Sequence, residues 1–296
     1  MSHFIAKLAL ASTLFLTGPA AWAQSKPHDQ ASGSHSATAS PVEKADEATG
    51  SLSAALGYGN NSVFFGRTQA TNYPYLTQEL TYTSKYNVWA SVYNYDLFNT
   101  ASHFDETDLS IGYDKDLSKN VDLSLSYSHF LYAPNSPLVK SAVNNSLDAA
   151  LGYDWGVLYT RLNGAYLFGP NAHDTFAVLD NSRAFDIDGV LTAKDYFTIT
   201  PKFSLVAGTQ EFVQVSDAQQ IQRGNKKPKT KTGTTTTSTD ASRFTLLSYG
   251  LRLPVAYTLG KVSAEVAYRY LQPVNVLPED DSAGRSYFTA TLTVTL

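Results

Sequence analysis

Histidine is the side chain best suited to acid–base chemistry near neutral pH, and after residue 50 the chain has only His103, His129 and His173. A barrel phospholipase needs a His-x-Ser pair with an asparagine nearby, and no His-x-Ser occurs after residue 50. An aspartate–histidine hydrolase is compatible with His103-Phe104-Asp105 and with His173-Asp174. Because solvated loops often carry such residues, we predict that the chain is not an enzyme and has no catalytic residue. A rim hydrolase is kept as the third alternative.

No metal or cofactor site is predicted. The absence of cysteine excludes Cys-ligated zinc, iron–sulfur clusters and thiol catalysis. The acidic run Glu279-Asp280-Asp281 lacks the ligand spacing of a full calcium loop. His28 and His35 lie in a polar segment, where solvated histidines are the usual interpretation. A formal net charge of −4 gives no reason to expect nucleic acid as a partner.

The largest charge run is basic and falls in the longest predicted loop, 209–240. It is followed by a threonine-rich stretch and is compatible with contact to lipopolysaccharide phosphates. The alternative is an ordinary solvated loop. The candidate surface-binding residues are Arg223, Lys226, Lys227, Lys229 and Lys231.

The N-terminus has the features of an export signal. Lys7, the apolar run 8–16 and the small-x-small site Ala21-Trp22-Ala23 occur in the order of a secretory signal peptide. The apolar run is about half of the ~20 residues that a membrane-spanning helix needs. We expect cleavage after Ala23, a disordered periplasmic tether over 24–50, and a folded domain over 51–296.

Residues 51–296 show alternation with period two, which predicts an all-β fold. The clearest stretch is the C-terminus, where one face of 287–296 is apolar and the other carries Tyr287 and threonines. Such a terminal strand is similar to the signal that outer-membrane assembly machinery reads, although that signal usually ends in Phe. Its apolar face includes Phe288, Leu292, Val294 and Leu296.

Three features favour a transmembrane barrel over a soluble sandwich. The polar faces are rich in small polar residues and lack the Lys and Glu fringe of a water-exposed edge. The predicted connections alternate between short and long. Tyrosines lie at the ends of the apolar stripes, where an interfacial girdle places them; they are Tyr82, Tyr113, Tyr127, Tyr153, Tyr257 and Tyr270.

We predict an antiparallel up-and-down barrel of about twelve strands in the outer membrane of a Gram-negative bacterium. Glycine and asparagine residues interrupt the first strand, and 180–183 interrupt the eighth, so either is a bulge or two shorter strands. The predicted strands are 51–67, 74–84, 86–97, 105–115, 120–132, 143–154, 157–168, 175–188, 195–208, 241–257, 261–272 and 285–296.

The polar faces divide the charged residues into two walls of a predicted lumen. Strands two to six carry acidic residues, and strands seven, nine, ten and eleven carry mainly basic ones. In a closed barrel the walls face each other, and the field between them would orient polar solutes. The lumen candidates are Glu79, Asp108, Asp122 and Asp148 on the first wall and Arg161, Lys202, Arg252, Glu265 and Arg269 on the second.

Residues 58 to about 95 resemble the opening hairpins of a family of uncharacterised Gram-negative outer-membrane barrels. The resemblance rests on Tyr58, Val63-Phe64-Phe65-Gly66-Arg67-Thr68-Gln69, Tyr82-Thr83-Ser84 and Val88-Trp89-Ala90-Ser91. The family often has Val-Phe-Arg-Gly-x-x-Gln, whereas here Phe65 precedes the glycine and Arg67 follows it. The resemblance implies a barrel without an established activity.

Our leading hypothesis is a porin-like channel for passive passage of small polar solutes. The alternative is a structural or surface-interaction barrel, closed by ion pairs in its lumen and acting through its outer loops. A twelve-strand barrel is compatible with both, because eight strands leave no passage and sixteen leave a wide one. The expected partners are outer-membrane lipids, lipopolysaccharide, the assembly machinery and small solutes.

Overall fold

A computed structural model describes residues 50–68, 72–98, 100, 104–134, 136–138, 142–170, 172–215, 241–278 and 280–296. The predicted signal peptide, the tether up to residue 49 and the basic run 223–231 lie outside these ranges. No helix among the described residues has the length and apolar character needed to cross a membrane.

The chain forms a closed antiparallel barrel of twelve strands, which confirms the predicted fold class. The barrel closes where β1 pairs with β16, with Leu56 opposite Leu292. The strands are β1 Ser51–Gly59, β2 Val63–Phe64, β3 Arg67–Thr68, β4 Tyr75–Thr83, β5 Val88–Leu97, β6 Glu106–Asp116, β7 Val121–Tyr132, β8 Asn145–Asp154, β9 Tyr159–Phe168, β10 His173–Ser182, β11 Phe185–Asp188, β12 Asp195–Ile199, β13 Lys202–Gly208, β14 Thr245–Leu259, β15 Val262–Pro273 and β16 Arg285–Thr295; residues 211–215 are helical.

The two ends of the barrel differ in their connections. At the short-turn end, tight turns join β4 to β5, β6 to β7, β8 to β9 and β14 to β15. At the long-loop end most connections are longer, as predicted, except that only residues 169–172 join β9 to β10.

Alternation along each strand separates an apolar outer face from a polar inner one. In β14 the outward side chains include Leu251, Leu253 and Val255, whereas Arg252 points inward and is buried. Apolar and polar residues alternate with a period of two because successive side chains of a strand point to opposite faces of the sheet, one outside the barrel and one inside. The outer face therefore forms an apolar band around the barrel, as a transmembrane barrel requires.

Three of the predicted strands differ from the observed ones. The first ends at Gly59 rather than residue 67, and β2 and β3 form a separate hairpin, Val63–Thr68, because Phe65 and Gly66 adopt positive φ and reverse the chain. The eighth is divided into β10 and β11, which is one of the two alternatives predicted for it, and the ninth is divided into β12 and β13. Each of these two pairs counts as one of the twelve strands of the barrel.

The tyrosines occupy two environments rather than one. Those predicted to form a girdle lie on the outer face, and Tyr82 and Tyr153 are exposed there. A second group is buried in the lumen, where Tyr75 and Tyr95 stack with ring centroids 4.6 Å apart beside Tyr93. Tyrosine thus supplies part of the interior packing as well as the outer rim.

Candidate functional site: the barrel lumen

The residues proposed from the sequence to line the lumen all carry the inward-facing parity of their strands. Asp108 and Arg269 are almost completely buried, and Glu79, Asp122 and Arg161 are half-buried. The barrel wall places these side chains, because each strand that contributes one pairs with its neighbours in a continuous register. Their placement is a structural observation, whereas their role in permeation stays a prediction.

The basic residues form a row across three neighbouring strands. Lys202 of β13 lies opposite Arg252 of β14, which in turn lies opposite Arg269 of β15. Lys202 Nζ is 3.1 Å from Asp180, and Arg252 Nη2 is 2.5 Å from Glu265. Arg269 donates from Nε to Thr289 Oγ1 at 3.2 Å. Two cations of this row therefore have a carboxylate partner on their own wall.

The acidic wall has a different kind of partner. Thr81 donates a hydrogen bond to Glu79 at 2.9 Å, and Ser146 donates one to Asp148 at 2.6 Å. In both cases the donor is a neutral hydroxyl two residues away on the same strand face. These carboxylates are therefore held in the lumen by hydroxyls and have no ion pair among the described residues.

One ion pair joins the two walls near the short-turn end. Arg161 Nη1 of β9 is 2.7 Å from Asp122 Oδ1 of β7, and Tyr159 donates to the other carboxylate oxygen at 2.7 Å. The pair keeps partial solvent access, with 23% and 30% of the two side chains exposed. Water reaches this end of the lumen more readily than the buried middle.

Sequence reasoning missed three lumen carboxylates. Glu106 and Asp114 have the same strand parity as Asp108 and point inward, so counting residues along β6 could have found them. Asp180 was missed because it lies close to the break between β10 and β11, where the alternation of the sequence fails. Its ion pair with Lys202 depends on the pairing of β10 with β13.

The hairpin β2–β3 packs inside the barrel at the long-loop end. Phe65 stacks on Phe176 of β10 with ring centroids 3.8 Å apart, and Phe64 makes an edge contact with Phe212 at 5.3 Å. These rings belong to a buried apolar cluster that includes Val206 and other wall residues. A loop that would otherwise lie outside the barrel therefore fills this end of the lumen.

Arg67 fixes the hairpin to several other loops. Its guanidinium donates to Gln210 Oε1 at 3.0 Å, to the Leu247 carbonyl at 2.8 Å and to the Val274 carbonyl at 3.0 Å. Its Nε also lies 3.2 Å from Asp280 Oδ2, and the Arg67 side chain has no exposed surface. Burial lowers the pKa of Arg67, whereas the nearby Asp280 raises it. We call this set of contacts the Arg67 latch.

The inserted hairpin and the packed wall close the lumen at the long-loop end. Tyr75 and Val206 are fully buried there. Further along the wall, Ser128 and Ser146 are also inaccessible to water. The described structure is therefore a barrel with a polar wall, an occluded interior and a more accessible short-turn end.

Of the two rim pairs considered for catalysis, only His173-Asp174 is fully described, because His103 lies outside the described residues. Asp174 accepts hydrogen bonds from the backbone amides of Glu211 and Phe212, both at 2.8 Å, and so caps the helical segment 211–215. His173 Nδ1 lies 3.4 Å from Glu211. Asp174 thus anchors the start of the longest loop and does not orient His173.

The remaining predicted sites have mixed outcomes. The basic residues Arg223 to Lys231 lie outside the described residues, as does Glu279. Asp280, from the same acidic run, pairs with Arg67. Among the described residues no group of three metal-ligating side chains occurs.

The residues of the predicted assembly signal lie on the outer face of β16 or at its end; they are Phe288, Leu292, Val294 and Leu296. Their recognition by the assembly machinery stays a prediction.

No protein family matches the chain, and no curated protein does. Its fold is similar to several solved structures. The NanC porin shares 9% identity over 83% of this chain and 100% of that one, with a TM-score of 0.46. LpxR from Salmonella typhimurium shares 8% over 82% and 99%, with a TM-score of 0.47. An outer membrane channel from Pseudomonas putida F1 shares 10% over 88% and 100%, with a TM-score of 0.43. The resemblance of residues 58–95 to a family of uncharacterised barrels stays a prediction.

Proposed function

We propose that the chain is a bacterial outer-membrane barrel with its short turns in the periplasm and its long loops outside the cell. The closed sheet supports this proposal, because a membrane-spanning sheet must have no free edge in the hydrocarbon. The apolar outer band and the tyrosines at its margins support it further. In this orientation the inserted hairpin lies at the extracellular mouth.

Within that barrel we propose a porin-like channel for small polar solutes that is closed by the hairpin β2–β3. The main support for this proposal is the contrast between the barrel wall and the hairpin that fills its mouth. The wall is polar and charged, as in barrels that conduct water and solutes, whereas the mouth is filled by a separate hairpin that packs through Phe64 and Phe65. Movement of the hairpin would expose the charged wall without any change in the strands.

Conductance in planar lipid bilayers tests this function. The native protein is compared with a variant in which Val63–Thr68 is replaced by a Gly-Ser segment of the same length. We expect rare or no openings of the native protein and sustained conductance of the variant. If neither conducts while both show the heat-modifiable gel mobility of folded barrels, the channel proposal is wrong.

The alternative is a closed structural or surface-interaction barrel that acts through its outer loops. The buried ion pairs Lys202–Asp180 and Arg252–Glu265 favour it, because they fill the interior with neutralised charges. On this hypothesis, removing residues 223–239 abolishes the phenotype of the protein, and replacing the hairpin leaves permeability unchanged. The basic side chains of that loop are then the candidates for contact with lipopolysaccharide.

A rim hydrolase remains the third hypothesis. It predicts that His103→Ala or His173→Ala abolishes a hydrolytic activity on outer-membrane lipids or proteins. The use of Asp174 as a helix cap weighs against it, because a catalytic carboxylate would have to orient the histidine. Assays of both variants against the native protein decide the question.

A further inference from the structure

We propose that the open lumen passes small cationic solutes in preference to anions, and that the inward face of β4–β9 is its selectivity element. This inference rests on the proposed channel function. It concerns the class of solute, which that function leaves undefined. The preference would arise from the different partners of the positive and the negative charges in the wall.

The cations of the wall are largely neutralised where they stand. Lys202, Arg252 and Arg161 each have a carboxylate within 3.1 Å, namely Asp180, Glu265 and Asp122. A paired charge contributes a dipole rather than a net field at a distance. The basic row therefore attracts a passing anion less than its residue types alone suggest.

The carboxylates of the acidic wall are not paired with cations in the same way. Glu79 and Asp148 accept hydrogen bonds from neutral hydroxyls, so in a hydrated open lumen their ionised forms would carry a negative charge that no neighbouring cation offsets. Asp114 likewise accepts a hydrogen bond from Ser124. Carboxylates thus outnumber cationic groups on the inward face, and the excess lies on the strands from β4 to β8.

Two neighbouring side chains have unused capacity for a ligand. The second oxygen of Asp148 and both polar atoms of the Asn163 amide have no hydrogen-bond partner among the described residues, although both side chains are more than nine-tenths buried. Asp148 of β8 lies opposite Ala165 of β9, and Asn163 is two residues along β9. Diagonal neighbours of this kind lie within about 8 Å. A carboxylate and an amide oxygen together form an acceptor set suited to an ammonium or guanidinium group.

The acidic wall and the basic row lie on opposite sides of the barrel. In the twelve-strand order β6 lies diametrically opposite β14, so the acidic wall faces the basic row, in which Lys202 and Arg252 have carboxylate partners, across the lumen. Low-dielectric walls focus the field of an unbalanced charge into the passage. Rings of Asp and Glu select cations in other channels by the same physics.

The test is the reversal potential in a KCl gradient, recorded on the full-length hairpin-replaced variant and on the same variant carrying Glu79→Gln and Asp148→Asn. Asp96→Asn is the matched control, because Asp96 is on the neighbouring strand β5 with outward parity. Heat-modifiable gel mobility verifies that each protein is folded. Arginine as the sole permeant cation is the organic probe.

We expect a reversal potential of the cation-selective sign, a shift toward zero in the double substitution, and no shift with Asp96→Asn. Arginine should carry current. Conductance with an anion-selective or zero reversal potential would overturn the cation preference and leave the channel function standing. An equal shift with Asp96→Asn would overturn the assignment to the acidic wall. Absence of conductance in every folded variant would overturn both proposals.

Discussion

Phe65 of the inserted hairpin stacks on Phe176 of the barrel wall, with ring centroids 3.8 Å apart and ring planes inclined by 12°. The contact places an aromatic ring from the first long connection against the inner face of β10. Together with the Arg67 latch it converts a loop into part of the interior.

Gly66→Ala should displace the hairpin. Gly66 has φ +80°, and a Cβ at this position would overlap the Ser248 side chain. We expect the free energy of unfolding in urea to fall by about 1–3 kcal/mol, the usual range for overpacking a packed site. Channel openings in bilayers should become more frequent.

Gly156→Ala is the control for this substitution. Gly156 also has φ +80°, but a Cβ there meets no atom within 4 Å. It should carry the backbone strain without any change in openings. If Gly66→Ala and Gly156→Ala had equal effects on openings, the clash with Ser248 would have no role in closure.

Arg67→Ala should weaken the latch strongly. Its removal takes the cation from Asp280 in a buried site, and breaking a buried pair from one side costs about 3–5 kcal/mol. Urea unfolding of the folded barrel measures the loss. Arg67→Lys should fall between the two, since lysine keeps the charge but not the planar fork. A loss under about 1 kcal/mol, typical of an exposed pair, would contradict the latch.

The two tryptophans outside the predicted signal should differ in contact with lipid. Trp89 is buried in the lumen at 1% exposure, whereas Trp155 lies at the short-turn end with 62% exposure. In bilayers with brominated acyl chains, we expect quenching of Trp155 in the Trp89→Phe variant and little quenching of Trp89 in the Trp155→Phe variant. Equal quenching of both would contradict the burial of Trp89 in the lumen.

The ion pairs of the lumen should differ in strength with their exposure. Double-mutant cycles with Arg161→Met and Asp122→Asn should give a coupling energy of about 1 kcal/mol or less, because the pair is partly solvated. The Lys202–Asp180 pair is less exposed and should couple more strongly. Free energies of unfolding in urea provide both values, and the reverse order would contradict the accessible short-turn end.

The barrel was predictable because each strand faces two environments. Alternation along residues such as Leu251, Arg252 and Leu253 records lipid on one side and lumen on the other. Strand parity also placed Asp108 and Arg252 on the inner face. Such alternation can be identified within a single strand, without knowing which strands are its neighbours.

The hairpin and the charge pairing were not predictable in the same way. Val63-Phe64-Phe65 has the apolar character of a strand, so the sequence predicts it as part of the first strand. Its true partners, Phe176 and Phe212, are distant in sequence and meet it only in the closed barrel. Likewise, the pairing of neighbouring charges depends on strand register, so parity alone did not predict which cations would be neutralised.

The most direct test of the central claim, that the hairpin closes the extracellular mouth, is thiol labelling of Val206→Cys in intact cells. The chain has no cysteine of its own, and Val206 is buried in the cluster beneath the hairpin. A membrane-impermeant methanethiosulfonate reagent should leave Val206→Cys unlabelled in the native background and label it when Val63–Thr68 is replaced by Gly-Ser. Val276→Cys, exposed at the long-loop end, should be labelled in both. Rapid labelling of Val206→Cys in the native background, or none in either background, would contradict closure by the hairpin.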